Sequence, residues 1–203
     1  MGNQTKQPAG SGSAAAVRRL PRARRREQIL DAATRAFARA GFVATSLDDV
    51  AAEAGVTRVI LYRHFESKAD MYRSVLERAC SRLANQVGGD DFDANAIPAL
   101  VQAAGQDPDA FRLLFHRAIR EPEFQELVDN LTIASTEIAH RNLATQIPGG
   151  AWLDWAARLI PAMTVDAVIA WLDAGRPDPD QAAARIDQVV AGVIHAAQGA
   201  GRP

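Results

Sequence analysis

Cysteine is all but missing from this chain, Cys80 being the single one in 203 residues. That rules out an intrachain disulfide and a cysteine-rich zinc site, and it fits a reducing compartment. The four histidines, His64, His116, His140 and His195, are scattered rather than paired at metal-ligand spacing. There is no P-loop, no nucleophile elbow, no paired-histidine zinc motif and no glycine-rich dinucleotide loop, so the common enzyme chemistries have no seat. No apolar run reaches the roughly 18 residues that span a bilayer. The arginine-rich start lacks the apolar stretch of a signal peptide, and Lys6 breaks the myristoylation pattern that Met1-Gly2 would open. These absences predict a cytoplasmic protein that is not an enzyme and has no cofactor, metal or membrane association.

What is present is an ordinary soluble composition, 48% apolar and 23% charged, long enough for one or two domains with a core. The net charge of -1 conceals an asymmetry. Residues 1 to 82 hold 15 Lys plus Arg against 8 Asp plus Glu, and residues 83 to 203 hold 8 against 16. A basic front on an acidic back suits a nucleic-acid-binding head on a body that does not bind nucleic acid, because phosphate contacts supply most non-specific affinity.

Residues 1 to 16 are small, polar and aperiodic, and 1–20 is expected to be a disordered basic arm. Arg18, Arg19, Arg22, Arg24, Arg25 and Arg26 crowd like charge that resists folding without a polyanion. Such an arm either lies on the DNA backbone or in its minor groove, or stays solvated and only speeds association. From Arg24 the pattern turns helical, with Ile29, Ala33, Phe37 and Ala40 as a buried stripe and Gly41 as its end. Phe42 and Val43 are expected to plug the next junction.

The stretch from Thr45 to Lys68 then reads as two short helices hinged at Gly55 and the start of a further one. Ser46 or Thr45 caps the first, with Asp49 or Asp48 completing the box. Leu47, Val50, Ala51 and Ala54 form its apolar stripe. Thr57 caps the second helix, where Leu61 and Phe65 share an inward face and Arg58, Val59, Tyr62 and Arg63 are left outside. Ser67 with Asp70 opens the last, and Lys68 in its first turn opposes the helix dipole, a conflict that an external phosphate would relieve.

Ala54-Gly55-Val56-Thr57, Leu61-Tyr62, His64-Phe65 and Ser67-Lys68 together resemble the helix-turn-helix signature of the TetR family of bacterial transcriptional regulators. The likeness covers about Arg24 to Leu76. It implies an all-α protein, with a three-helix DNA-binding domain at 21–68 and a helical effector-binding and dimerising domain at 69–203. It implies a homodimer on a palindromic operator in double-stranded DNA, acting as a repressor that a small apolar molecule releases. A ligand-independent architectural protein with the same head is the alternative.

Position by position, the resemblance assigns phosphate contacts to Thr45, Thr57, His64 and Lys68. Tyr62 takes phosphate or a thymine methyl, and Arg58, Val59 and Ile60 read bases, with Arg63 on the same outward face. Arg58 suits guanine O6 and N7 in a bidentate contact. Relatives often carry Gly or Pro and then a small or hydroxylated residue where this chain has Val59 and Ile60. Neither β-branched side chain can hydrogen-bond a base edge, so both are expected to meet thymine methyls.

Behind the head, a helix from about Ala69 to Val87 carries two apolar rows, and Gly88, Gly89, Asp90, Asp91 and Asp93 mark a break. Asp107-Pro108 caps one body helix, and Pro122 opens another that reaches about Gln146. The terminal pair is more apolar. One helix runs from Ala151 to Ala174 and is expected to bend at Pro161, and the other is opened by Asp178-Pro179 with Gln181. The resemblance pairs this hairpin across a two-fold axis, where otherwise it would complete one monomer's core. Phe111, Phe115, His116, Phe124, Trp152, Trp155, Met163 and Trp171 are the candidate lining of an apolar effector cavity.

Overall fold

The computed structural model describes residues 21–88 and 92–199, and the arm at 1–20 and the Gly89–Asp91 part of the break lie outside these. Among the described residues every regular element is helical. Helix α1 (Arg22–Ala44) starts directly after Pro21 and buries Ile29, Leu30, Ala33, Ala36 and Phe37. Gly41, at φ 79 and ψ 176, interrupts it as the sequence leads one to expect, and the chain coils again to Ala44. A residue with a Cβ is strained at that φ, which explains the glycine. Ala40 is exposed rather than buried, and of the expected plug only Phe42 packs inward, Val43 being left open to solvent.

Helices α2 (Leu47–Ala54) and α3 (Arg58–Tyr62) follow. Ser46 Oγ accepts from the Asp49 amide at 3.1 Å while Asp49 Oδ2 accepts from the Ser46 amide at 2.8 Å, so Ser46 and Asp49 form the capping box. These bonds hold the Asp49 carboxyl below its usual range. Gly55, left-handed at φ 63 and ψ 36, turns the chain sharply into α3. Ser67 caps α4 (Lys68–Val87) by accepting from the Asp70 amide.

The body begins with α5 (Ala96–Gln106), a helix for which the sequence offered no start. Asn95 gives it no side-chain cap, and Pro98 in its first turn reads more readily as a break. Asp107 then caps α6 (Pro108–Arg112). A π turn over Leu113–Arg117 and two 3-10 turns, Ala118–Arg120 and Pro122–Phe124, lead into α7 (Gln125–Leu143). Helix α8 (Ala151–Asp173) runs through Pro161, and Asp178 with Gln181 caps α9 (Pro179–Gln198) as expected. By length and composition α8 is apolar enough to cross a membrane, with mean hydropathy 1.3 over its richest window. No uninterrupted run signals this, because Asp154, Arg158, Asp166 and Asp173 are spaced along it. Here it packs between α7 and α9.

The main core joins the head to the body. Phe37, Val50, Leu61, Phe65, Met71, Tyr72 and Val75 pack together and continue into Leu113, Leu114, Ala118 and Phe124. The apolar packing therefore crosses the expected border at residues 68 and 69. Two further cores lie in the body. One surrounds Phe111, Val168, Trp171 and Ile186, and the other surrounds Leu143, Leu153, Ala157 and Ala197.

Candidate nucleic-acid interface

Helix α3 buries Leu61 into the head core and turns its other side out, leaving Val59 63% and Tyr62 52% exposed. Arg58 stands between them. Its Nη1 lies 3.3 Å from Asp48 Oδ2, its Nη2 lies 3.4 Å from the Tyr62 hydroxyl, and its guanidinium lies 6.0 Å from the Tyr62 ring centre. Thr57 precedes the helix, exposed and making no side-chain capping bond, so its hydroxyl is available to an outside acceptor. Arg63 is exposed as well. One fork, one ring, one hydroxyl and one apolar side chain thus share a convex surface.

Three expected contact residues are placed differently. Thr45 is buried, and its hydroxyl donates to Gly41 O at 2.7 Å and Ala36 O at 3.2 Å, so it locks the end of α1 rather than reaching outward. Lys68 Nζ donates to the carbonyls of Phe42 (2.8 Å), Thr45 (3.1 Å) and Val43 (3.3 Å), and sits 4.5 Å from the Phe42 ring centre. The conflict with its helix dipole is relieved from inside the protein, by carbonyls at the end of α1, and no external anion is required. Ile60 is half-buried against the head core, which leaves Val59 as the exposed branched side chain.

One part of the surface was missed by reading the arginines as arm. Arg22, Arg24, Arg25 and Arg26 lie in the first turns of α1, which has no acidic residue there. Arg22 Nη2 reaches the Arg63 carbonyl at 3.4 Å, and Arg26 stacks 5.0 Å over Phe65 while bonding Ser74 Oγ at 3.1 Å. Four cations at a helix N-terminus repel the dipole and one another, a strain that a polyanion removes. Burial, and then the charges of Arg22, Arg26 and Arg25, push the His64 pKa down, so its imidazole is neutral near pH 7. The available signal was Pro21, a start residue directly ahead of the run.

The head is fastened to the body at the kink of α1. Phe42, Tyr72 and Phe124 stack with ring centres 4.5 to 5.1 Å apart. Glu121 accepts from the Phe42 amide at 3.2 Å, and Arg117 donates to the Arg39 carbonyl at 3.2 Å. Farther along α4, Arg78 binds Asp31 (2.8 Å), Glu27 (3.1 Å) and Thr34 Oγ1 (3.0 Å). Beside it lies a cleft of about 480 Å³, walled by Val75, Ala79 and Leu83 of α4, Ala103 of α5, Phe111 and Leu114, with Arg82, Gln86 and Gln106 among its polar lining.

That cleft is not the predicted effector cavity, because the predicted side chains do not meet. Of the eight, Phe111 alone lines it. Phe115 stacks on Phe111 at 4.7 Å, His116 is exposed and pairs with Arg120 at 3.2 Å, and Phe124 belongs to the head core. Trp171 is buried and donates to the Pro177 carbonyl at 2.8 Å. Met163 is half-buried on α8, whereas Trp152 and Trp155 stand out from the same helix, 63% and 40% exposed and edge to face at 5.7 Å. Helical spacing reports a shared face, and here part of that face is the outside.

Comparison with known proteins agrees with the geometry. Residues 29–75 match the family described as bacterial regulatory proteins, tetR family. The HTH-type transcriptional activator FasR of Mycolicibacterium smegmatis is 31% identical over 191 residues, spanning 87% of this chain and 85% of that protein. The HTH-type transcriptional repressor SCO4008 of Streptomyces coelicolor is 34% identical over 89 residues, 43% of this chain and 46% of the other. A TetR-like transcriptional regulator from Rhodococcus sp. RHA1 shares the fold with a TM-score of 0.76 over 90% of this chain and 100% of its own, at 21% identity. With a helix-turn-helix head, an all-helical body and a relative that matches along most of both chains, the protein belongs to the TetR family of DNA-binding transcriptional regulators.

Proposed function

We propose that the chain acts as a homodimer that reads a palindromic operator and is controlled by a small apolar molecule bound in its body. The observation that carries this reading is the outward set on α3, Arg58, Val59 and Tyr62, flanked by the arginines of α1. Arg58 reads guanine, Val59 packs on a thymine methyl, and Tyr62, Thr57, Arg63 and His64 contact the backbone. Thr45, Ile60 and Lys68 position these groups from behind.

Two copies associate through α8 and α9, which present Trp152, Trp155 and Val189 to solvent. Exposed aromatic pairs of this kind mark protein interfaces, and a symmetric dimer places two reading heads on one site. The ligand occupies the cleft between α4, α5 and α6, where apolar walls meet a polar rim. It selects a state in which α4, and with it the Lys68 and Phe42 anchor, holds the heads out of register with successive turns of DNA.

The relative matched across both domains is named an activator, whereas SCO4008, named a repressor, covers under half of this chain. Release of DNA by ligand is therefore the proposed event, and repression follows where the operator overlaps a promoter. Gel-shift titration on a selected operator, with and without an apolar ligand found by thermal-shift screening, tests it. A saturating ligand that leaves operator affinity unchanged refutes the control mechanism.

A further inference from the structure

We propose that Asp48 is a specificity-determining residue, whose carboxylate competes with DNA for the Arg58 guanidinium. The inference rests on Arg58 being a base-reading side chain, as proposed above. Asp48 is the second residue of α2, with a side chain 69% exposed, and it takes no part in the Ser46–Asp49 capping box. Helix α2 therefore does not need it as a cap, although its place in the first turn suits the dipole. What it does touch is Arg58, 3.3 Å away across the glycine turn, while the Tyr62 hydroxyl holds the other arm of the fork at 3.4 Å.

An exposed arginine on a DNA-facing helix gains from any phosphate, and such gains add affinity without sequence information. With Asp48 beside it, that gain becomes an exchange. To reach a phosphate, Arg58 must give up a carboxylate and leave it bare next to a polyanion. Guanine repays the exchange with two parallel hydrogen bonds to O6 and N7, and a stray phosphate offers no such fit. The pair lowers affinity for every sequence but lowers it most where guanine is absent, and it is in the difference of affinities that specificity resides.

The test uses the full chain, fluorescence anisotropy at fixed ionic strength, and two duplexes. One is the fragment bound most tightly in a selection from random DNA, and the other is its scrambled counterpart. Asp48→Asn should tighten binding to the scrambled duplex about threefold more than to the selected one, the scale of an exposed ion pair. Asp48→Glu, which keeps the carboxylate, should restore the wild-type ratio. In an Arg58→Ala background, Asp48→Asn should tighten both duplexes equally. If Asp48→Asn tightens both equally with Arg58 present, while Arg58→Ala still erodes the ratio, the proposal falls and the base-reading role stands. If Arg58→Ala leaves the ratio unchanged, both fall. Circular dichroism of each variant confirms that α2 is retained.

Discussion

Lys68 separates two accounts of the same motif, and removing its ammonium decides between them. The sequence pattern casts it as a phosphate contact, whereas the structure spends its donors on the carbonyls of Phe42, Val43 and Thr45. Lys68→Met keeps the aliphatic stem and deletes the charge. A hydrogen bond from a charged donor is worth about 1.5 kcal/mol at the low end, and the contacts at 2.8 and 3.1 Å count fully while the exposed one at 3.3 Å counts little, giving roughly 3 kcal/mol. Rehydration of the freed carbonyls returns about 1 kcal/mol, and losing a cation from a helix N-terminus returns about 0.5 kcal/mol more. The expected loss of stability is therefore about 1.5 kcal/mol, read as a lower urea midpoint at fixed protein concentration. Because no phosphate contact is lost, the slope of log affinity against log salt should stay within error of wild type. An unchanged midpoint with a slope smaller by about 0.9, the signature of one lost phosphate, would refute the anchoring role.

Other side chains carry their own expectations. Arg58→Ala should reduce discrimination roughly tenfold at one base pair per half-site, measured by competition with operators substituted at each position. Trp152→Glu with Trp155→Glu should shift the protein from dimer to monomer in sedimentation and remove tight operator binding while leaving helix content intact. His64 has a folded pKa below its ordinary 6.5, so below that pH the unfolded chain binds more protons than the folded one. Its contribution to stability is complete above pH 6.5 and declines as the pH falls through the folded pKa. His64→Gln should flatten that decline in urea titrations run at successively lower pH.

The parts of this protein legible in its sequence are those fixed by neighbours in the chain. Ser46 with Asp49, Ser67 with Asp70 and Asp178 with Gln181 are three residues apart, and each starts a helix where the residue types say it should. Gly41 and Gly55 take positive φ because a local turn demands it. Long-range partners are where the reading fails. The dipole conflict at Lys68 is visible in the sequence, but its resolution lies 23 to 26 residues earlier, in carbonyls that carry no side-chain signal.

The same holds for Thr45, whose hydroxyl answers to the fold of α1. Val59 and Ile60 look alike in a string of letters, and only the turn of a five-residue helix leaves one exposed and half-buries the other. Aromatic spacing placed Trp152, Trp155 and Phe111 in one imagined cavity, because periodicity gives a face but not what that face meets. Helix α5 escaped notice since its start has neither a cap bond nor a proline in the favoured first position.

Selection of bound fragments from random duplex DNA by the full chain tests the central claim most directly. The account predicts enrichment of a palindrome whose half-sites lie about one helical turn, 34 Å, or a multiple of it apart, each with a guanine contacted by Arg58. Recovery of an unpaired half-site, or no enrichment at all, would contradict it.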